Sequence, residues 1–202
     1  MTTVSTFLEG VGAIGVACTL VMLVPAVALV LVARKARLTV ALFYVIGAAL
    51  LTWARAAGHW DVELSGAALP VAAVLAAGVF VIAYLAKGPL SLSATGAGAV
   101  AGALAGWLWQ PCVGPKLGEI LNNTGTEAAR TLGLMLVYMV GALLPALLLA
   151  VLSHALPATK RFLDRLPVVA AGGAIGAAYA ITLAAGRYDD LVGELYRIAT
   201  DL

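Results

Sequence analysis

The strongest constraint on this chain is where its charges are missing. Residues 10–33, 38–54, 64–86, 88–115, 131–159 and 166–186 contain no Asp, Glu, Lys or Arg. A helix needs roughly 20 apolar residues to cross the hydrocarbon core, with a range of about 17–25. Only 11% of the residues are charged and 63% are hydrophobic. A soluble domain carries about 25% charged residues, so this chain has too few to cover a water-facing surface. The pattern predicts an all-α membrane protein with six transmembrane helices. Runs this continuous argue against the alternating strands of a membrane barrel. The second run is the shortest, and Arg37 and Arg55 at its ends are expected to snorkel outward. The opening "MTTVSTFLEG" has no basic n-region. It reads as the start of a retained span rather than a cleaved signal peptide.

A net charge of +2 gives no basic patch for nucleic acid. The distribution says more. Arg34, Lys35, Arg37, Lys87, Lys160, Arg161 and Arg165 follow the first, third and fifth runs. Arg55, Arg130, Arg187 and Arg197 lie on the other side, mixed with Asp61, Glu63, Glu127, Asp189, Asp190 and Glu194. The positive-inside rule puts the first set in the cytoplasm. The expected protein is then multi-pass in the plasma membrane, with both termini extracytoplasmic.

The six runs divide into two sets of three. "LFYVIGAALLTWARA" from Leu42 aligns with "LVYMVGALLPALLLA" from Leu136, matching Tyr44 to Tyr138 and Gly47 to Gly141 at an offset of 94. The same offset carries Cys18 to Cys112, the only two cysteines in the chain. Helices rich in Ala, Val, Leu and Gly resemble one another by composition. That explains poorly why both cysteines, a Tyr and a Gly keep one offset. The reading is two three-helix repeats, residues 1–93 and 94–202, the second ending in a short amphipathic helix. Three spans per half is an odd number, so the second half enters the membrane from the opposite side. Such inverted repeats place their working site near the midplane.

Taken alone, a cysteine in a membrane helix is more often a small apolar packing residue than a reactive one. Cys112 stands in "GWLWQPCVGPKLGEIL". Pro111 and Pro115 lack an N–H and disrupt a helix, and Gly114 adds freedom. A break at membrane depth is tolerated only where it lines a cavity or lies buried in protein. There is no CxxC and no His, Cys or Asp cluster at metal-ligand spacing. His59 and His154 read as interfacial side chains. No metal or other cofactor is expected.

The stretch "QPCVGPKLGEIL" resembles the second cysteine motif of the cytochrome c biogenesis and thiol–disulfide electron transporter family (CcdA/DsbD type). The resemblance covers nearly the whole chain, with six spans, an inverted repeat and one cysteine in the first span of each half. It implies a transmembrane thiol–disulfide oxidoreductase. Reducing equivalents would pass from cytoplasmic thioredoxin to an extracytoplasmic thioredoxin-like protein, with cytochrome c biogenesis the first candidate process. Cys18 and Cys112 would be the redox pair, and Pro111, Gly114, Pro115 and Pro25 the supporting helix breaks. The family usually flanks its first cysteine with prolines. Here the stretch is "GVACTLVMLVPA", with Ala17 and Val21 at those places and only Pro25 remaining. The family also usually has apolar residues at the positions of Lys116 and Glu119. The alternative reading is a small-solute transporter or a redox-silent scaffold on the same inverted-repeat architecture.

Other features read as structural. Gly98, Gly102 and Gly106 are four apart, which permits close helix contact. Trp53, Trp60, Trp107 and Trp109 include candidate interface anchors. In the tail "RYDDLVGELYRIATDL", Leu191, Leu195, Ile198 and Leu202 form one helical stripe. Lys116 has two readings. Four residues from Cys112, it tunes the thiolate with Glu119 as partner; or both charges are solvated at the outer interface. The dependence of Cys112 alkylation rate on pH separates them. Tuning requires Lys116→Met to shift the profile to higher pH, and an unchanged profile leaves the solvated reading.

Overall fold

A computed structural model of the chain describes residues 2–58, 68–88, 90–109, 115–124 and 127–200, all in helices and short connections, with no strand among them. The helices are α1 (Thr3–Gly12), α2 (Ala17–Val32), α3 (Arg37–Gly58), α4 (Ala68–Leu85), α5 (Leu92–Leu108) and α6 (Pro115–Asn122). They continue with α7 (Ala128–Ala142), α8 (Leu144–Ala155), α9 (Pro157–Leu163), α10 (Leu166–Ala184) and α11 (Tyr188–Thr200).

Local sequence sets many of the ends. The hydroxyls of Thr2 and Ser91 accept from Ser5 N and Ala94 N, capping α1 and α5. Pro145, Pro157 and Pro167 sit in first turns, where a missing N–H costs nothing. Gly186 closes α10 at φ +66. Its N–H donates to Leu183 O and that of Arg187 to Thr182 O, the paired bonds of a left-handed helix stop.

α3, α4 and α10 are each long and apolar enough to cross a membrane, and two bent pairs raise the number of candidate spans to as many as five. The outer face of α4 carries exposed Val71, Val74, Val81 and Ile82. Such surface is compatible with a multi-pass membrane protein and unsuited to water. The structure differs in detail from six continuous spans. The first run bends by 86° between Thr3–Gly15 and Cys18–Val32, and the fifth by 71° between α7 and α8. The fourth gives only α5, 17 residues long, with α6 as a separate amphipathic helix. Pro145 accounts for the second bend, since it lacks an N–H and crowds the preceding turn. The first bend has no proline. Gly10, Gly12 and Gly15 lower helix propensity there, and Val16 is extended at φ −88, ψ 134.

Pro25 corrects an expectation. α2 runs through it without interruption. The proline leaves the Val21 carbonyl without its helical donor, and from α3 the Tyr44 hydroxyl donates to the next carbonyl, Met22 O, at 2.8 Å. Neighbouring side chains of this kind let a membrane helix tolerate proline.

The two arginines at the ends of α3 do not snorkel. Arg37 is 4% exposed. Its Nε donates to Val30 O at 3.2 Å and its Nη2 to Asp164 Oδ1 at 2.8 Å. Val30 lies in the last turn of α2, whose carbonyls attract a cation. Arg55 does the same for α5, as described below. Trp109 is not an interface anchor either. It is 1% exposed and packs at 33° against Tyr138, with ring centroids 6.3 Å apart.

Backbone-to-backbone contact organises the packing. Gly98, Gly102 and Gly106 of α5 all face α3, meeting the carbonyls of Val40, Tyr44 and Ala48. Gly47 of α3 faces Ala99 O and Ala103 N of α5, while Gly141 of α7 faces Phe7 O and Val11 N of α1. Gly102 meets Tyr44 O, and Gly10 of α1 meets Tyr138 O. One main core then draws on residues from Met22 to Ala150, on both sides of residue 93.

A Cβ at Gly102 would overlap the Tyr44 carbonyl, whereas one at Gly173 on α10 meets nothing within 4 Å. Gly102→Ala is expected to destabilise the protein by about 1–3 kcal/mol. Gly173→Ala is expected to be neutral or stabilising by up to about 1 kcal/mol. Thermal unfolding in detergent reads both.

Candidate functional site

Cys18 is the second residue of α2, buried at 6% exposure and carrying a free thiol. It follows directly on the bend at Val16. The Thr19 and Leu20 amides turn back onto Val16 O, and no side chain caps the first turn of α2.

One turn further on, Val21 joins a buried cluster with Ala72, Ala76, Leu104, Leu108, Tyr179 and Tyr188. The opening of α2 and the last turn of α5 therefore share one core. Leu108 ends α5, four positions before Cys112 in the sequence. Cys112, Pro111 and Gly114 lie outside the described residues. Pro115 is the first residue of α6, a position that suits proline. Lys116 follows it; both side chains lie outside the description. Glu119 is on the exposed face of α6, and its backbone oxygen accepts from Asn123 Nδ2 at 2.8 Å.

The end of α5 is held by three side chains from two other helices. A helix leaves its last four carbonyls without intrahelical donors. Here the Trp109 N–H closes on Ala105 O, and side chains reach each of the next four oxygens. Arg55 Nη1 lies 3.2, 2.5 and 3.0 Å from the oxygens of Gly106, Trp107 and Trp109. Tyr188 donates to Leu108 O at 3.0 Å and Thr52 to Gly106 O at 3.5 Å. Arg55 and Thr52 come from α3 and Tyr188 from α11. The first turn of α11 is thus built into the core, beyond the surface role expected of an amphipathic tail.

Neither Arg55 nor Tyr188 stands out as a site residue in the sequence. Arg55 terminates an apolar run, as an interfacial arginine does, and Tyr188 precedes two aspartates. The available signal is that a broken helix leaves carbonyls that some distant donor must reach.

Pro25, Tyr44, Phe80 and Tyr179 help to line a small cavity of about 20 Å³ where α2, α3, α4, α5 and α10 meet. That is room for about one water. Among the described residues the Tyr179 hydroxyl, Thr19 Oγ1 and Trp109 Nε1 are buried without a hydrogen-bond partner. Thr19 follows Cys18, and Trp109 is the last described residue before the Cys112 stretch. Among the described residues no three His, Cys, Asp or Glu side chains gather as a metal site. No protein-family model matches the chain, and no curated protein or solved structure shows significant similarity to it.

Burial, chiefly, pushes the Tyr188 phenol well above the usual tyrosine range; Tyr179 and Asp189 add to this and Arg55 opposes it. The neutral phenol is favoured in the folded state, so its contribution is complete below the unfolded value of about 10 and falls as pH rises beyond it. Wild type is expected to lose more stability than Tyr188→Phe between pH 9 and 11, in parallel melts. Arg55→Gln is expected to cost about 1.5–3 kcal/mol at neutral pH, the range for hydrogen bonds to a charged group. Tyr179→Phe, which removes an unpartnered hydroxyl, is expected to be neutral or stabilising.

Proposed function

We propose that this chain is a transmembrane thiol–disulfide oxidoreductase in which Cys18 and Cys112 form a reversible disulfide. The observation that carries the reading is the shared cluster of Val21 and Leu108. It joins the turn of α2 after Cys18 to the helix end that leads into Cys112.

The architecture proposed with it is an inverted repeat of two three-span halves. The mirrored glycine contacts support this. The Gly47–α5 and Gly141–α1 contacts exchange the halves, as do Tyr44 with Gly102 and Tyr138 with Gly10. A two-fold axis in the membrane plane pairs the first span of each half with the second span of the other.

In the proposed cycle, a thiolate of cytoplasmic thioredoxin attacks one sulfur of the Cys18–Cys112 disulfide and forms a mixed disulfide. Its second thiol displaces the bound cysteine. Thioredoxin leaves oxidised, and the pair has gained two electrons and two protons. One thiolate of the pair then attacks the disulfide of an extracytoplasmic thioredoxin-like protein, and the other resolves the mixed disulfide. The pair is oxidised again and the outer protein reduced. Sulfur chemistry carries the electrons, and no cofactor takes part. Cys18 lies in the first turn of α2, at the positive end of the helix dipole, which favours a thiolate. The thiol is buried, so exchange requires the chain to open, and the bend at Val16 is the proposed joint. Cytochrome c biogenesis is the first candidate for the downstream process.

The test is mass spectrometry of the purified protein with and without reductant, alongside trapping with a thioredoxin that lacks its resolving cysteine. A reducible Cys18–Cys112 disulfide and a mixed disulfide with thioredoxin are expected. Absence of both sinks the redox reading, as does full physiological activity of Cys18→Ala. That last result would favour a transporter or scaffold.

A further inference from the structure

The end of the molecule opposite Arg55 carries an open vestibule of about 800 Å³. Its wall is formed by the α2–α3 turn, the end of α4, the end of α8 and α9. Five cations line it, Arg34, Lys35, Arg37, Lys87 and Lys160, against the single carboxylate of Asp164. That carboxylate is already engaged, bonded by Arg37 at 2.8 Å with Arg34 at 3.8 Å. Among the described residues no ion pair holds Lys35, Lys87 or Lys160. The ends of α2, α4 and α8 each add roughly half a negative charge, and the start of α3 roughly half a positive one. The vestibule stays strongly positive.

A membrane-surface charge excess needs only solvated lysines spread along loops. Here the cations come from three separate segments and surround one volume, within the size range of a ligand pocket. Tyr84 and Thr39 line it as well. The flanks are apolar. Val81, Leu85 and Leu90 are exposed on one side, and Leu148, Val151 and Leu152 of α8 on the other. A basic mouth between two greasy helix faces fits an amphiphile with an anionic head.

We propose that this vestibule binds a phosphate ester, and specifically the headgroup of an anionic phospholipid whose chains run along α4 and α8. Basic pockets between spans suit such headgroups. Arg34, Lys35, Lys87 and Lys160 donate to the phosphate oxygens. Arg37 is buried and already bonded; it braces the floor through Asp164 and the end of α2.

The full chain, purified in neutral detergent, is exposed to mixed micelles of phosphatidylcholine and phosphatidylglycerol and examined by native mass spectrometry and thermal unfolding. Inorganic phosphate and glycerol phosphate form a second arm. Preferential retention of phosphatidylglycerol, with a raised melting temperature, is the expected result. Lys87→Gln and Lys160→Gln, both exposed substitutions, are each expected to weaken it about fivefold. Arg187→Gln, past the far end of α10, is expected to leave it unchanged. Stabilisation by inorganic phosphate or glycerol phosphate at millimolar concentration, lost in the same lysine variants, would assign the phosphate site to a soluble ester. Equal retention of both lipids with no effect of phosphate overturns the proposal. So does phosphatidylglycerol binding that the lysine variants leave intact.

Discussion

Helix-end carbonyls have no donor in their own helix, and in hydrocarbon water cannot supply one. Each oxygen left bare there costs several kcal/mol. This chain bends or ends its apolar helices repeatedly, so donors must come from elsewhere in the fold. Arg37 and Arg55 stand at the two ends of α3 and serve the ends of α2 and α5. Tyr44 serves α2 beside Pro25, and Tyr188 serves α5 from about eighty residues away. The bonds from Arg37 and Tyr44 tie α3 to the preceding α2, while those from Arg55 and Tyr188 join helices that do not follow one another in sequence. The need to satisfy backbone oxygens therefore also fixes which helices are neighbours. α3 has a special place, since it supplies donors at both ends and in its middle.

Close backbone approach does the rest. The α3–α5 contact is as tight as it is because four glycines remove the side chains that would hold the helices apart. Tyr44 sits at the crossing of both systems. Its carbonyl lies against Gly102, and its hydroxyl reaches Met22. A change there would loosen the α3–α5 seam and the α2 turn beside Pro25 together, so effects at this residue should not add simply with those at Gly102 or Pro25. The cluster that brings Val21 beside Leu108 rests on this seam.

Much of the scaffold is legible in the sequence. The uncharged runs 38–54, 64–86 and 166–186 emerge as α3, α4 and α10, and the Gly98, Gly102, Gly106 spacing marks the face of α5 that meets α3. What escapes has physical reasons. Hydropathy measures how apolar a run is and is blind to its direction, so it passes over the bends at Val16 and Leu143. Proline is only half a signal: Pro145 falls at a bend while Pro25 lies within an unbroken helix, because a donor from α3 happens to reach its turn. A charge at the end of a run looks interfacial whether it faces water or turns back onto carbonyls, which hides the roles of Arg37 and Arg55. At the candidate site, Cys18 and the approach to Cys112 are placed, but nothing near either cysteine in sequence foretells Tyr188.

The bond from Tyr188 to Leu108 also has a consequence in time. The α5 end is complete only when the residue that holds its last carbonyl exists, and the two are 80 positions apart. At about 5–20 residues per second, a ribosome needs roughly 4–16 s to make the intervening chain. For that interval the end of α5 exists with one of its anchors unsynthesised. A nascent chain stalled before Tyr188 would carry an incompletely sealed break, open to the insertion machinery and to quality-control proteases.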